Sequence, residues 1–179
     1  MPRQSRRLVI DASVAQSAGG PGAVVSESAR CREFLIAVLR VCHRVIFTAS
    51  VREEWDRHQS LFARRWRVSM NARRKVAILI APENANLRKR IAASAAGQRE
   101  QQALMKDVHL IEAALAGDSI VVSRDEEIRD LFKLASDTVG ELRAVAWVNP
   151  GADAERPVAW VEDGAIPERT RLLGWKGKT

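Results

Sequence analysis

The chain has 179 residues, 46% of them hydrophobic, with a formal net charge of +7, a length and composition suited to one soluble domain with a real core. No apolar stretch approaches the ~20 residues of a membrane-spanning helix, and "MPRQSRR" runs into a strand rather than a secretory segment, so a cytoplasmic protein with no membrane attachment is expected. Cys31 and Cys42 match no metal-ligand spacing and read as plain buried thiols.

In chain order, "RRLVIDASV" comes first: Leu8, Val9 and Ile10 form a short buried strand that stops on Asp11. A carboxylate there either caps the next turn or belongs to a site at the rim of a sheet. "AQSAGGPGAVVSESA" reads as a mobile loop. From Ser28 to His43, Phe34, Leu35, Val38, Leu39 and Cys42 recur at helical spacing, and Val45, Ile46 and Phe47 form a second strand. The stripe Val51, Trp55, Phe62, Trp66 predicts another helical stretch, with Ser50 as N-cap. The chain then stays polar and basic to about Ala81.

This middle section carries the positive charge: 13 Lys/Arg and 5 Asp/Glu lie between Arg52 and Lys106. Such a cluster is the footprint of a polyanion partner, against the plainer reading of a solvated helix face. After Pro82, "NANLRKRIAASAAG" predicts a helix ending at Gly97. Leu104, Val108, Ile111 and Leu115 then mark a longer helix stopped by Gly117. "SIVVS" is a third strand, a helix starts near Asp125, and "LRAVAWVNP" is a fourth strand. The alternation predicts an α/β three-layer fold, with a central parallel sheet of four to five strands flanked by helices, over residues 1–150. Residues 151–179 form a C-terminal arm, packed on that domain or at an interface, in which Val158, Trp160 and the turn-like Asp163-Gly164 suggest a hairpin.

The acids converge in this inferred fold. Asp11 and Asp125 both follow strands. Glu53 and Glu54 open the helix after the second strand, and Asp107 sits on or beside an apolar helical stripe where a lone charge is costly. Like charges this close need a cation between them. Oxygen ligands without Cys or His point to Mg²⁺ or Mn²⁺, and an acidic site near a basic surface suits metal-assisted phosphodiester hydrolysis. His109, two residues from Asp107, points to another part of its helix and reads as structural.

"LVIDAS", "TASVREEW", "DVHLIEAALAG", "SIVVSRDEEIRDLF" and "AVAWVNP" together resemble the PIN-domain family over Leu8 to Pro150, most closely from Lys106 to Phe132. The resemblance implies a Mg²⁺- or Mn²⁺-dependent endoribonuclease acting on single-stranded or structured RNA, as in the toxins of bacterial toxin-antitoxin pairs. It places the family's acids on Asp11, Glu54, Asp107 and Asp125, with Glu53 as the alternative to Glu54. Its flanking hydroxyl residues fall on Ser13 and Ser123. On this reading Arg64, Arg65, Arg73 and Arg74 hold the RNA backbone, and Asp130 and Glu127 are further carboxylates near the metals. A small antitoxin protein and a homodimer are partners the family can adopt. The rivals are a non-catalytic RNA-binding scaffold of the same fold, and a different Mg²⁺ phosphotransfer enzyme, which usually carries an acid where Ser13 stands.

Overall fold

The computed structural model describes residues 4–19 and 27–177. Five short strands, β1 (Arg7–Ile10), β2 (Arg44–Phe47), β3 (Val76–Ile78), β4 (Ile120–Val122) and β5 (Ala146–Val148), form one sheet in the order β3-β2-β1-β4-β5, every pair parallel. Leu8, Val9 and Ile10 of β1 and all of β4 and β5 are buried. That is why the central strands read as unbroken apolar runs rather than alternating ones: helices cover both faces.

Eight α-helices lie among the described residues: α1 (Ala12–Ser17), α2 (Glu27–Arg40), α3 (Ala49–His58), α4 (Leu61–Ala72), α5 (Ala85–Ala93), α6 (Gln98–Leu115), α7 (Glu126–Ala135) and α8 (Pro157–Glu162). Helices α1 to α4 and α8 touch one another as one layer, and α5, α6 and α7 as another. The chain steps outward from β1 to β2 to β3, then returns across β1 to β4. Right-handed crossovers therefore send the later helices to the opposite face.

Five expectations from the sequence need correction, the last of them in the segment after Pro150. The basic stretch before Ala81 contains β3, an edge strand whose Ile78 is 75% exposed, so its apolar run is not framed by burial on both faces. The N-cap of α3 is Thr48, whose side chain accepts from Val51 N at 3.3 Å, not Ser50, because β2 already ends at Phe47. Cys42 is exposed; only Cys31 is buried. Part of the expected loop "AQSAGGPGAVVSESA" is helical, at the end of α1 and the start of α2; the rest, residues 20–26, lies outside the described residues.

The segment after Pro150 forms no hairpin. Pro157 opens α8 at its first turn, where a missing N–H costs nothing, and Trp160 donates its indole N–H to Ile166 O at 2.7 Å. Trp160, Val161, Ala165 and Leu173 join the same buried cluster as the sheet. Leu173 N donates to Val145 O at 2.9 Å, beside an antiparallel bridge between Leu172 and Ala146, so this segment covers the outer edge of β5. His43 ties it to α2's end of the sheet: Nδ1 accepts from Arg6 N and Nε2 meets Val161 O, each at 3.0 Å, which puts the ring proton on Nε2. No helix among the described residues is long and apolar enough to cross a membrane.

Candidate functional site

The two crossover directions part between β1 and β4, the switch point where ligands of open parallel sheets bind, outside the carboxyl ends of the strands. Asp11 follows β1 there, and Ser123 follows β4. Asp11 sits at the backbone N-cap of α1, yet its side chain makes no capping hydrogen bond. Its Oδ2 instead accepts from Ser123 Oγ at 2.8 Å and from Ser13 Oγ. The cap reading of Asp11 thus fails for its carboxylate. Ser123 Oγ also accepts from Asp125 N at 3.2 Å, and Arg124 N donates to Ser13 Oγ at 3.4 Å, so one hydroxyl network joins the ends of β1 and β4.

Asp125 does two things at once. Its Oδ1 accepts from Ile128 N at 2.9 Å as the N-cap of α7, and its charge bears on Asp107. Glu54 comes from α3, which is held to the end of β1 by Trp55: the indole N–H donates to Ile10 O at 2.7 Å, and the ring stacks on Trp66 with centroids 5.7 Å apart. Asp107 lies on α6 between buried Leu104, Val108 and Ile111, and α6 touches both β1 and α3.

Electrostatics tie the four acids together. The Asp107 carboxyl is pushed up from 3.8 to about 6, first by burial and next by Asp11, with Asp125 and Glu54 adding to the rise and Lys106 opposing it. Glu53 is not among the groups that chiefly move it. Its side chain is 64% exposed against 32% for Glu54 and pairs with Arg57, which favours Glu54 as the rim residue of the two. Glu54 itself lies 3.6 Å from both Arg57 Nη1 and His58 Nε2.

Among the described residues, no group of three or more His, Cys, Asp or Glu side chains is set to hold a metal ion. By its chemistry the donor set fits a hard divalent cation: all-oxygen and mutually repelling, with one carboxyl raised first by burial and then by its acidic neighbours. Asp11, Glu54, Asp107 and Asp125 are the residues that could hold it. Asp130 and Glu127 are exposed on α7, and Glu127 lies 3.8 Å from Arg99. His109 Nδ1 meets its own helix at Lys106 O, 3.0 Å away.

The arginines divide. Arg64 and Arg65 are exposed near the start of α4, whose N-cap Ser60 donates to Ala15 O of α1, the helix that follows Asp11, at 2.8 Å. Arg73 and Arg74 follow α4 at the other edge. Arg73 Nη1 donates to Leu39 O at the end of α2 at 3.3 Å, and Arg74 takes a left-handed turn with φ 55°. The fold does not bring that pair to the acids.

A second polar network beside β5 escaped the sequence reading. Asn149 Nδ2 donates to Glu126 Oε1 at 2.7 Å, Asn149 N donates to Glu155 Oε2 at 3.1 Å, and Arg129 and Arg171 both pair with Glu155. A cavity of about 470 Å³ adjoins it, lined by Arg129, Arg156, Trp160 and Arg171 among others. Another of about 590 Å³ lies between α3 and the β3 end, over Phe47, Arg52, Ile78 and Ile80. Neither is lined by the four acids. One signal was available: Asn149 follows β5 as Asp11 follows β1. No family model and no curated protein matches the chain.

Proposed function

We propose that this protein is a Mg²⁺- or Mn²⁺-dependent endoribonuclease, as its resemblance to the PIN-domain family implies, and that the acid rim is its active site. The observation that carries the reading is the Asp11 carboxylate, which caps no helix and is held by Ser13 and Ser123 at the switch point of the sheet, with Asp107 in electrostatic reach of it, of Asp125 and of Glu54. Asp11, Glu54, Asp107 and Asp125 would hold the metal. Bound there, a divalent ion supplies activation of water and neutralises charge on the scissile phosphate. Ser13 and Ser123 fix the Asp11 carboxylate by donating to Oδ2. Trp55 sets the position of Glu54 by anchoring α3. Arg64 and Arg65 attract the RNA backbone, and recognition through stacking and shape rather than a base code follows from single-stranded RNA chemistry. A covalent phospho-aspartate mechanism is disfavoured, since the position two residues after Asp11 is a serine whose hydroxyl is spent on Asp11.

Cleavage of a mixed single-stranded RNA with Mg²⁺, with Mn²⁺ and with chelator, beside a folded Asp11→Asn variant, tests the proposal. Metal-dependent cleavage lost in the variant supports it. RNA binding without cleavage by either protein would favour the scaffold reading. Growth arrest on expression, relieved by a co-purifying small protein, would support the toxin role.

A further inference from the structure

The nuclease reading needs a group that grips the RNA strand beside the acids, and none of the arginines so far considered stands in the hydroxyl network at the switch point. Arg124 does. It lies between Ser123 and Asp125, and its backbone N–H donates to Ser13 Oγ, which in turn donates to Asp11. Its side chain reaches Glu27 in the first turn of α2, where Nη2 donates to Glu27 Oε2.

That pairing uses half of what a guanidinium offers. Nε and Nη2 form a side-on fork that matches two oxygens of one anion. Arg88 shows the filled arrangement in this same protein: Nε and Nη2 donate to Glu112 Oε1 and Oε2, each at 2.8 Å. Arg124 gives Nη2 to a single oxygen of Glu27, and its Nε is buried with no hydrogen-bond partner among the described residues. An orphaned N–H weakens the resting pair. The Glu27 side chain is 57% exposed, so water competes for it as well. A phosphate with two free oxygens would fill the whole fork.

We propose that Arg124 binds a phosphate of the RNA next to the acid rim through its side-on fork, and that Glu27 holds it in reserve until RNA arrives. This rests on the nuclease reading and adds its phosphate-binding residue. The two partners then have opposite effects on RNA affinity. Loss of Arg124 weakens binding, whereas loss of the Glu27 charge strengthens it by releasing Arg124.

The test is binding of a labelled single-stranded RNA to full-length Asp11→Asn protein, which should not cut it, across a range of salt. Adding Arg124→Ala should raise Kd about tenfold and reduce the slope of log K against log salt by ~0.7, the loss of one single-strand phosphate contact. Arg124→Lys, which keeps the charge without the fork, should fall between. Glu27→Gln should lower Kd about threefold, and that gain should vanish when Arg124→Ala is also present. Matched melting curves show that each variant is folded. If both single changes weaken binding and leave the salt slope unmoved, the pair is structural and the proposal falls. A Glu27→Gln gain that persists without Arg124 also overturns it. RNA that fails to bind even the Asp11→Asn parent, together with an uncut substrate for the wild type, would instead bring down the nuclease reading itself.

Discussion

Replacing Asp107 with asparagine should make the metal-free protein more stable while removing its function. In the folded state burial and the three neighbouring carboxylates lift Asp107 from 3.8 to about 6. An acid whose folded value is raised holds its proton more tightly in the native state, so stability falls as pH rises from below 3.8 through about 6 and stays low above it. A shift of that size corresponds to ~3 kcal/mol at full strength, and a half-buried group screened by solvent retains about 1–2 kcal/mol. Asparagine keeps the shape and cannot ionise. At pH 7.5 in chelator, Asp107→Asn should therefore melt about 3–6 °C above the wild type, as expected for a chain of this size. At pH 3.5 the two should melt together, because the wild-type carboxyl is then protonated. Millimolar Mg²⁺ should raise the wild-type melting temperature by mass action and leave the variant unmoved. Paired thermal melts at the two pH values, with and without the ion, decide the matter. A variant no more stable than wild type at pH 7.5, or a gain that survives at pH 3.5, would refute the electrostatic account of the rim.

Other outcomes follow from the same contacts. Ser123→Ala removes the donor to Asp11 Oδ2 and the acceptor of Asp125 N, and should lower kcat about tenfold with little change in melting temperature, read from steady-state cleavage. Trp55→Phe loses the bond to Ile10 O and part of the stack on Trp66, and should cost about 2 kcal/mol in urea denaturation. Glu112→Gln breaks the buried fork with Arg88. Burial alone would raise the Glu112 carboxyl, but the Arg88 bonds and Asn84 N–H outweigh it and leave it lowered, so its contribution is present at neutral pH and is lost as acid protonates it. The variant should lose about 2–3 kcal/mol at pH 7 and converge on wild type as pH falls below the ordinary glutamate range, measured by parallel melts.

The parts of the fold legible in the sequence are those set by burial. Strands β1, β2, β4 and β5 read directly because a strand covered on both faces needs an apolar run, and Asp11 and Asp125 stood out because each breaks the pattern just past such a run. Strand β3 did not, since an edge strand of three residues leaves Ile78 in solvent and follows Arg73, Arg74 and Lys75. In the last segment Val158 and Trp160 alternate like a strand, and the helix signal was Pro157 placed at a first turn. The pair of Arg124 with Glu27 and the network around Glu155 were illegible for a different reason. Most of their partners are distant in sequence, Arg124 and Glu27 by 97 positions and Arg129 and Glu155 by 26, and only the folded sheet brings them together.

Four of the five strands are followed at once by a polar residue, Asp11, Thr48, Asn149 and Ser123, and what each does depends on its distance from the switch point. Thr48, after β2, spends its side chain capping α3. Asn149, at the outer strand β5, spends its own on Gly151 N and Glu126. Their helices or turns leave close by and present backbone groups that need partners. Between β1 and β4 the helices depart to opposite faces, and a crevice opens where Asp11 N donates to Val122 O and Ser123 N to Val148 O, while the Ser13 and Ser123 hydroxyls take Arg124 N and Asp125 N. The Asp11 carboxylate caps nothing and is left to Ser13 and Ser123, within electrostatic reach of Asp107 on α6. Strand order thus separates capping residues from a carboxylate of similar chemistry that is free of that task. The same logic places Arg124, one step past Ser123, where among the described residues its fork meets one oxygen of Glu27 on α2.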